Sequence, residues 1–189
     1  MAESRSFCPA DCRIGPVIPT EQLTDRVQAL AAEIDAYYAA RGVREILLVG
    51  ILKGAVVFHS DLMRALRTPF KVDFMQVSSY IGQHSSGELA IHKDILTDIA
   101  GRHVLLVEDI LDTGFTLSML LGRLQERQPA DLRLCVALDK QETRKHSIEA
   151  DFAGFTVPDK FLVGYGLDYD EYFRGLPYVG ELILPDAAE

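Results

Sequence analysis

Long hydrophobic runs are missing from this sequence. The longest, Ile46 to Leu52, ends at Lys53, far short of the roughly 18 apolar residues of a membrane span. No membrane partner is expected. The opening "MAESRSFCPADC" lacks the charged-then-apolar order of a signal peptide. Cysteine is scarce, with Cys8, Cys12 and Cys135 alone. So small and odd a number fits a reducing compartment, and a cytoplasmic location is the expectation. Cys8 and Cys12 have no second half of a zinc site to join, so residues 1–15 read as a flexible tail. Positive charge is also scarce: 19 basic against 28 acidic residues leave a net charge of −9. That argues against nucleic acid as a partner, which calls for a basic patch. It does not argue against a small anionic substrate, because a bound divalent cation reverses the local field. Repeats, low-complexity tracts and linkers are absent too, and 189 residues suit one domain.

What is present is an alternation of two periodicities. Thr20 is a candidate N-cap, followed at helical spacing by Leu23, Val27, Leu30, Ile34 and Tyr37, with Gly42 as the stop. Arg44–Leu52 is short and continuously apolar, the pattern of a buried strand. Val56–Leu66 returns to helical spacing, and Phe70–Tyr80 alternates as a strand. Ile81–Asp94 is polar and reads as a mobile loop or two-stranded flap. Strand Val104–Val107, helix Leu117–Arg127 and strand Leu132–Leu138 form a further β-α-β unit, closed off at Pro129. Near the end, "KFLVGYGLDY" and "YVGELIL" read as strands. The order predicts an α/β fold with an open, mainly parallel sheet flanked by helices. In such sheets, ligands bind beyond the carboxyl ends of the strands.

"VEDILDTGFT", Val107 to Thr116, stands at one such end. No G-x-x-x-x-G-K-[ST] occurs, and no G-x-G-x-x-G follows a strand. Yet "DTGFT" combines a turn glycine, small hydroxyl side chains and a helix N-terminus, whose N–H groups favour an anion. Thr113 and Thr116 add hydroxyl donors. Glu108 and Asp109, acceptors only when ionised, suit a sugar's vicinal hydroxyls or a metal. Acids for a diol beside a nest for a phosphate describe a ribose 5-phosphate site; an acidic strand end with Asp112 capping a helix is the plain structural alternative. His59, His84, His92, His103 and His146 show no partner pattern. Cys135, mid-strand, is not expected to be a nucleophile.

The same stretch resembles the signature of type I phosphoribosyltransferases. "GILKGAVVFHSDLMRAL", "VDFMQVSSY", "LDKQETRK" and "DKFLVGYGLDYDEYFRGLPYVGEL" resemble, in order and spacing, the hypoxanthine-guanine branch of that purine family. The resemblance runs from about Gly15 to Leu184. It implies a type I phosphoribosyltransferase fold as a single domain over 16–189, with a small hood from about 16–20 and 155–189. It implies that a 6-oxopurine attacks C1 of 5-phosphoribosyl-1-pyrophosphate through N9, giving IMP or GMP, and that pyrophosphate leaves with inversion.

Roles follow by matching position. Asp112 aligns with the general base at purine N7, and Asp112, Thr113, Gly114, Phe115 and Thr116 with the 5-phosphate loop. Glu108 and Asp109 face the ribose. Lys53 and Gly54 match the pyrophosphate loop, where the family has a cis peptide before the lysine. Lys140 aligns with the donor to purine O6, a contact that rejects adenine. Phe161 matches the residue that stacks on the base, and Lys160 and Leu162 match the adjoining backbone contacts. Asp168 matches the acid on the magnesium side, and Arg174 the arginine on the pyrophosphate side. Glu108, Asp109 and Asp168 are the implied Mg2+ side, Ser79 and Tyr80 open the mobile lid, and a homodimer or homotetramer is implied. Phe115 departs from the polar residue common at its place in some relatives, and Asp170 adds a charge beside Asp168.

Two rivals share the fold. A non-catalytic regulator sensing phosphoribosyl pyrophosphate has no need of Lys140, Phe161 and Asp168, all present here. A xanthine-preferring enzyme differs in main-chain contacts around Leu162, on which side-chain identity barely reports.

Overall fold

The computed structural model describes residues 12–80 and 88–184. In chain order the elements are β1 (Arg13–Ile18), α1 (Thr20–Ala39), β2 (Ile46–Leu52), α2 (Val56–Ala65), β3 (Phe70–Tyr80), β4 (Glu88–Lys93) and β5 (His103–Leu111). Then come α3 (Phe115–Gln125), β6 (Asp131–Asp139), a 3-10 turn at Gln141–Thr143, β7 (Phe152–Thr156), β8 (Leu162–Val163) and β9 (Val179–Ile183). A six-stranded sheet runs β4-β3-β2-β5-β6-β7, and a three-stranded antiparallel sheet runs β1-β9-β8. Every pairing in the larger sheet is parallel except β3 with β4. The fold is thus α/β, with a mainly parallel sheet.

The continuous apolar runs of β2 and β5 are explained by burial on both faces. Ile46 and Leu48 enter one core with α1 and α2, while Leu47, Val49 and Ile51 enter the other with α3. Leu105 and Val107 of β5 join the first core, and Val104 and Leu106 the second. A period of two therefore feeds two cores from one strand.

Strand order fixes where a ligand can enter. From β2 the chain crosses over to β3 on one side; from β5 it crosses to β6 on the other. The crevice between β2 and β5 is the switch point of the sheet. Their pairing runs from Leu47↔Val104 to Gly50↔Val107 and goes no further, although β5 continues to Leu111 beside β6. Past Val107, β5 has a free edge, and Glu108 and Asp109 sit on it.

Several expectations need correction. Arg13–Gly15, assigned to the tail, pair with Glu181–Ile183 of β9. Pro16 lies on this edge strand, the sheet position that tolerates proline. Thr20 is the first helical residue rather than the N-cap, which is Pro19, and its hydroxyl donates to Pro177 O at 2.8 Å. Helix α3 starts at Phe115, two residues before the expected Leu117. The apolar stretch "KFLVGYGLDY" is a strand only at Leu162–Val163; beyond it Gly164, Tyr165 and Gly166 all have positive φ. Strand β7 was not anticipated. Gly154 weakens its pattern, yet a Cβ there would strike the Ala137 carbonyl of β6, and Arg26 binds the carbonyls of Ala153 and Gly154 at 2.7 Å. Cys12 is disulfide-bonded. Cys135 is a buried free thiol, which burial pushes up above its ordinary pKa.

Candidate active site at the β2–β5 switch point

The chain between β5 and α3 turns through Asp112, Thr113 and Gly114. Gly114 has φ +83°, and a Cβ there would run into Ile148, so glycine meets both a conformational and a steric requirement. What orients this turn is the segment after β6. Arg144 donates from Nε to Asp112 O at 2.9 Å and from Nη2 to Leu111 O at 3.3 Å. The amides of Lys145 and His146 both donate to Thr113 O, at 3.0 and 3.2 Å. Three successive carbonyls are thereby held on the rear of the turn. In a planar trans peptide the N–H lies opposite the C=O, so the amides of residues 112–114 face forward. The N-terminus of α3 follows directly, where the Phe115 amide donates to Thr113 Oγ1 at 3.4 Å. A hollow of about 100 Å³ lies there, lined by Ile110–Leu117. Its size and donors fit a phosphate.

Arg144 is itself fixed. It donates from Nη1 to Ile148 O at 2.6 Å and pairs through Nη2 with the Asp139 carboxylate, both side chains being largely buried. This residue was quoted in "LDKQETRK" but given no role. The signal was an arginine placed to reach a loop far back in the sequence, which spacing alone does not reveal.

Beside the phosphate hollow is a cleft of about 300 Å³ between β2 and β5. It is lined by Leu52, Gly54, Glu108, Asp109, Thr116, Asp168 and Arg174, among others. The Asp109 amide donates to Glu108 Oε1 at 3.1 Å, and the Ile110 amide to Asp109 Oδ1 at 2.9 Å. Each carboxylate thus accepts from the backbone amide of the residue that follows it, which fixes both acids against β5. Burial, and then the adjacent Asp109 carboxylate, push the Glu108 carboxyl well above its ordinary pKa. The Leu52–Lys53 peptide is cis, as the resemblance implies. A Cβ on Gly54 would overlap the Asp109 carboxylate, so this approach of loop to acid requires glycine.

Asp112 and Lys140 form the third part. Thr143 donates its hydroxyl to Asp112 Oδ1, while Oδ2 lies 4.0 Å from Lys140 Nζ. Lys140 is buried, its amide bonded to Leu111 O at 2.9 Å and its ammonium 3.5 Å from Asp159. Phe161 is 53% exposed and meets Tyr169 edge-on at 5.6 Å, leaving an open ring available for stacking. Leu162 is buried in β8, and Lys160 pairs with Glu181 at 2.5 Å.

The structure therefore gathers Gly54, Glu108, Asp109, Thr116, Asp168 and Arg174 at one cleft, with Asp112 to Thr116 at the adjoining hollow. Lys53 and Arg174 are both engaged by Glu171, a residue the sequence reading passed over. The side chains of Ser79 and Tyr80, and residues 81–87 of the expected lid, lie outside the described residues; β4 pairs antiparallel with β3 as the flap's return limb. A larger hollow of about 520 Å³ behind Arg144, between Asp139 and Ala153, holds none of the expected residues. Among the described residues no helix is long and apolar enough to cross a membrane.

Residues 19–170 match the phosphoribosyl transferase domain family. A hypoxanthine-guanine phosphoribosyltransferase of Aquifex aeolicus is 51% identical over 164 residues, 86% of this chain and 91% of that one. Its counterpart in Mycobacterium avium is 43% identical over 185 residues, 96% of this chain and 91% of that one. Among solved structures, a Bacillus anthracis hypoxanthine-guanine phosphoribosyltransferase aligns with a TM-score of 0.84 at 36% identity, covering 92% of this chain and 100% of its own. A Trypanosoma cruzi hypoxanthine phosphoribosyl transferase reaches 0.86 at 35% identity, covering 93% and 95%.

Proposed function

The chain belongs to the phosphoribosyl transferase family, and from that premise we propose that it is a purine-salvage enzyme. It joins hypoxanthine, and guanine, to 5-phosphoribosyl-1-pyrophosphate, yielding IMP or GMP and pyrophosphate. The observation that carries this reading is the pairing of Asp112 and Lys140, an acid and an ammonium 4.0 Å apart. A 6-oxopurine presents N7 and O6 side by side on one edge. Lys140 donates to O6 while Asp112 accepts the N7 proton. Adenine places an amine at position 6, a donor facing a donor, and the contact from the buried ammonium to O6 is lost.

In this reading the forward amides of 112–114 and the first turn of α3 hold the 5-phosphate, with the hydroxyls of Thr113 and Thr116; Phe115 contributes its backbone. Glu108 and Asp109 accept the ribose diol. Phe161 stacks on the base, with Lys160 and Leu162 supplying main-chain contacts at its rim. Lys53, Gly54 and Arg174 take the leaving pyrophosphate, and Ser79 and Tyr80 open the lid that excludes water. The protein's work is positioning and charge stabilisation of an oxocarbenium-like transition state.

The donor set fits magnesium. Among the described residues no group of three side chains could cage a metal. Magnesium takes one or two carboxylates, keeps several waters and binds substrate phosphates, and Glu108, Asp109 and Asp168 border the cleft. When bound it neutralises charge on the departing pyrophosphate. A cytoplasmic homodimer or homotetramer, and a domain over 16–189 with a hood from its two ends, complete the proposal. The test is pyrophosphate release in magnesium with hypoxanthine, guanine, xanthine and adenine. Release with the first two is expected; none with any base sinks the reading, and release with xanthine alone favours the xanthine enzyme.

A further inference from the structure

We propose that Glu171 is an internal competitor for the pyrophosphate subsite, a displaceable carboxylate that weakens the hold on the leaving group and speeds its release. The inference rests on the reading of Lys53 and Arg174 as pyrophosphate ligands. Lys53 Nζ donates to Glu171 Oε1 at 2.9 Å. Arg174 reaches the other oxygen, Oε2, from Nη2 at 3.2 Å and from Nε at 3.4 Å. One carboxylate thus spans two cations that lie 121 residues apart in sequence, offering each an oxygen as a phosphate group does.

The backbone presents this carboxylate. Glu171 has φ +68°, its neighbours Asp170 and Phe173 are also in the left-handed region, and its amide donates to Asp168 Oδ2 at 2.8 Å. The side chain itself is 61% exposed, so it swings into water at little cost. Arg174 keeps its place without it, through Gly166 O at 2.8 Å and Asp168 Oδ1 at 2.9 Å. Glu171 therefore adds little to the frame that Arg174 already has. What it does add is negative charge where an anion must bind. A tethered competitor acts at high effective concentration, and pyrophosphate with its metal is the product whose charge most favours retention.

The test is calorimetric titration of inorganic pyrophosphate with magnesium into the full chain and its variants. Glu171→Gln is expected to tighten binding roughly 3- to 10-fold, the scale of the two exposed ion pairs it makes taken together. Asp170→Asn removes the same charge one residue away, at an exposed position with no ion pair among the described residues, and is expected to change binding by less than about twofold. In a Lys53→Met background the gain from Glu171→Gln is expected to shrink, because one of the two contested cations is gone. Unchanged or weaker binding by Glu171→Gln overturns the inference, as does equal tightening by Asp170→Asn, which would mark a general field effect. Wild-type protein that takes up no pyrophosphate removes this inference and the proposed function together, whereas wild-type binding without a Glu171 effect removes this inference alone.

Discussion

Lys140 Nζ stands 4.0 Å from Asp112 Oδ2, too far for a direct hydrogen bond and close enough for each charge to stabilise the other. Thr143 occupies the remaining oxygen of Asp112, and Asp159 lies on the far side of the ammonium. Acid and cation are therefore held near each other without being consumed by each other. Both keep bonding capacity for a third group.

Asp112→Asn is expected to slow turnover by roughly 10²–10⁴-fold, the usual range for a lost general base, with the thermal midpoint little changed because the amide still accepts from Thr143. Steady-state kinetics beside a melting curve checks both halves. Near-normal turnover would take Asp112 out of the proton transfer.

Lys140→Ala should raise KM for hypoxanthine far more than KM for phosphoribosyl pyrophosphate. The lost contact is charge-assisted and on the order of 1.5–3 kcal/mol, which is roughly ten- to a hundredfold in affinity. Equal rises for both substrates would contradict a contact to O6.

Arg144→Met is expected to cost roughly 3–5 kcal/mol of folding stability, since it leaves the buried Asp139 carboxylate without its cation. The Asp112 carbonyl loses its Arg144 donor as well, and Leu111 O keeps only the Lys140 amide, so the phosphate turn loosens and KM for phosphoribosyl pyrophosphate rises. Adding Asp139→Asn should recover stability, by relieving the unpaired charge, but not KM. Denaturant titration and kinetics on the same samples separate the two effects.

Asp73 yields a pH prediction. Burial by itself would raise its pKa, but hydrogen bonds from the amides of Thr97 and Phe74, and from Lys93, outweigh that and hold the carboxyl at about 2. A depressed carboxyl stabilises the fold above its unfolded pKa, and the contribution fades as pH falls from about 4 through 2, worth roughly 2 kcal/mol when complete. Asp73→Asn should therefore cost about that much at pH 7, with the gap to wild type narrowing only below about pH 4. A gap that narrowed between pH 7 and 5 would point to another group. Because the Leu96 and Thr97 amides both bond Asp73 at 2.9 Å, the variant also loosens the turn that follows β4.

Elements with a clear apolar period or run were readable from the sequence: β2, β3 and β6 lie within two residues of expectation, and α1 and α2 fill their predicted spans. The misses share a physical cause. β1 is a single-sided edge carrying Gly15 and Pro16, and β7 carries Gly154, so neither has the periodicity of a buried strand. β5 outruns its apolar stretch because Glu108 and Asp109 prolong it while serving the cleft. At the site, the loop itself was legible from its glycine, acids and hydroxyls. Arg144, Thr143 and Glu171 were not, because each acts on residues more than 25 positions away and only the folded chain brings them there.

The exposed ring of Phe161 is anchored by segments far apart in sequence. Phe161 O accepts the amide of Leu182 at 2.8 Å, and β9 in turn lies against β1. During synthesis β1 emerges well before β9, so the smaller sheet stays unassembled while the larger one, complete by Thr156, already has every strand it needs. A chain not yet extended to Val179 lacks the strand that joins β1 to β8, so the smaller sheet closes only after the larger one has all its strands.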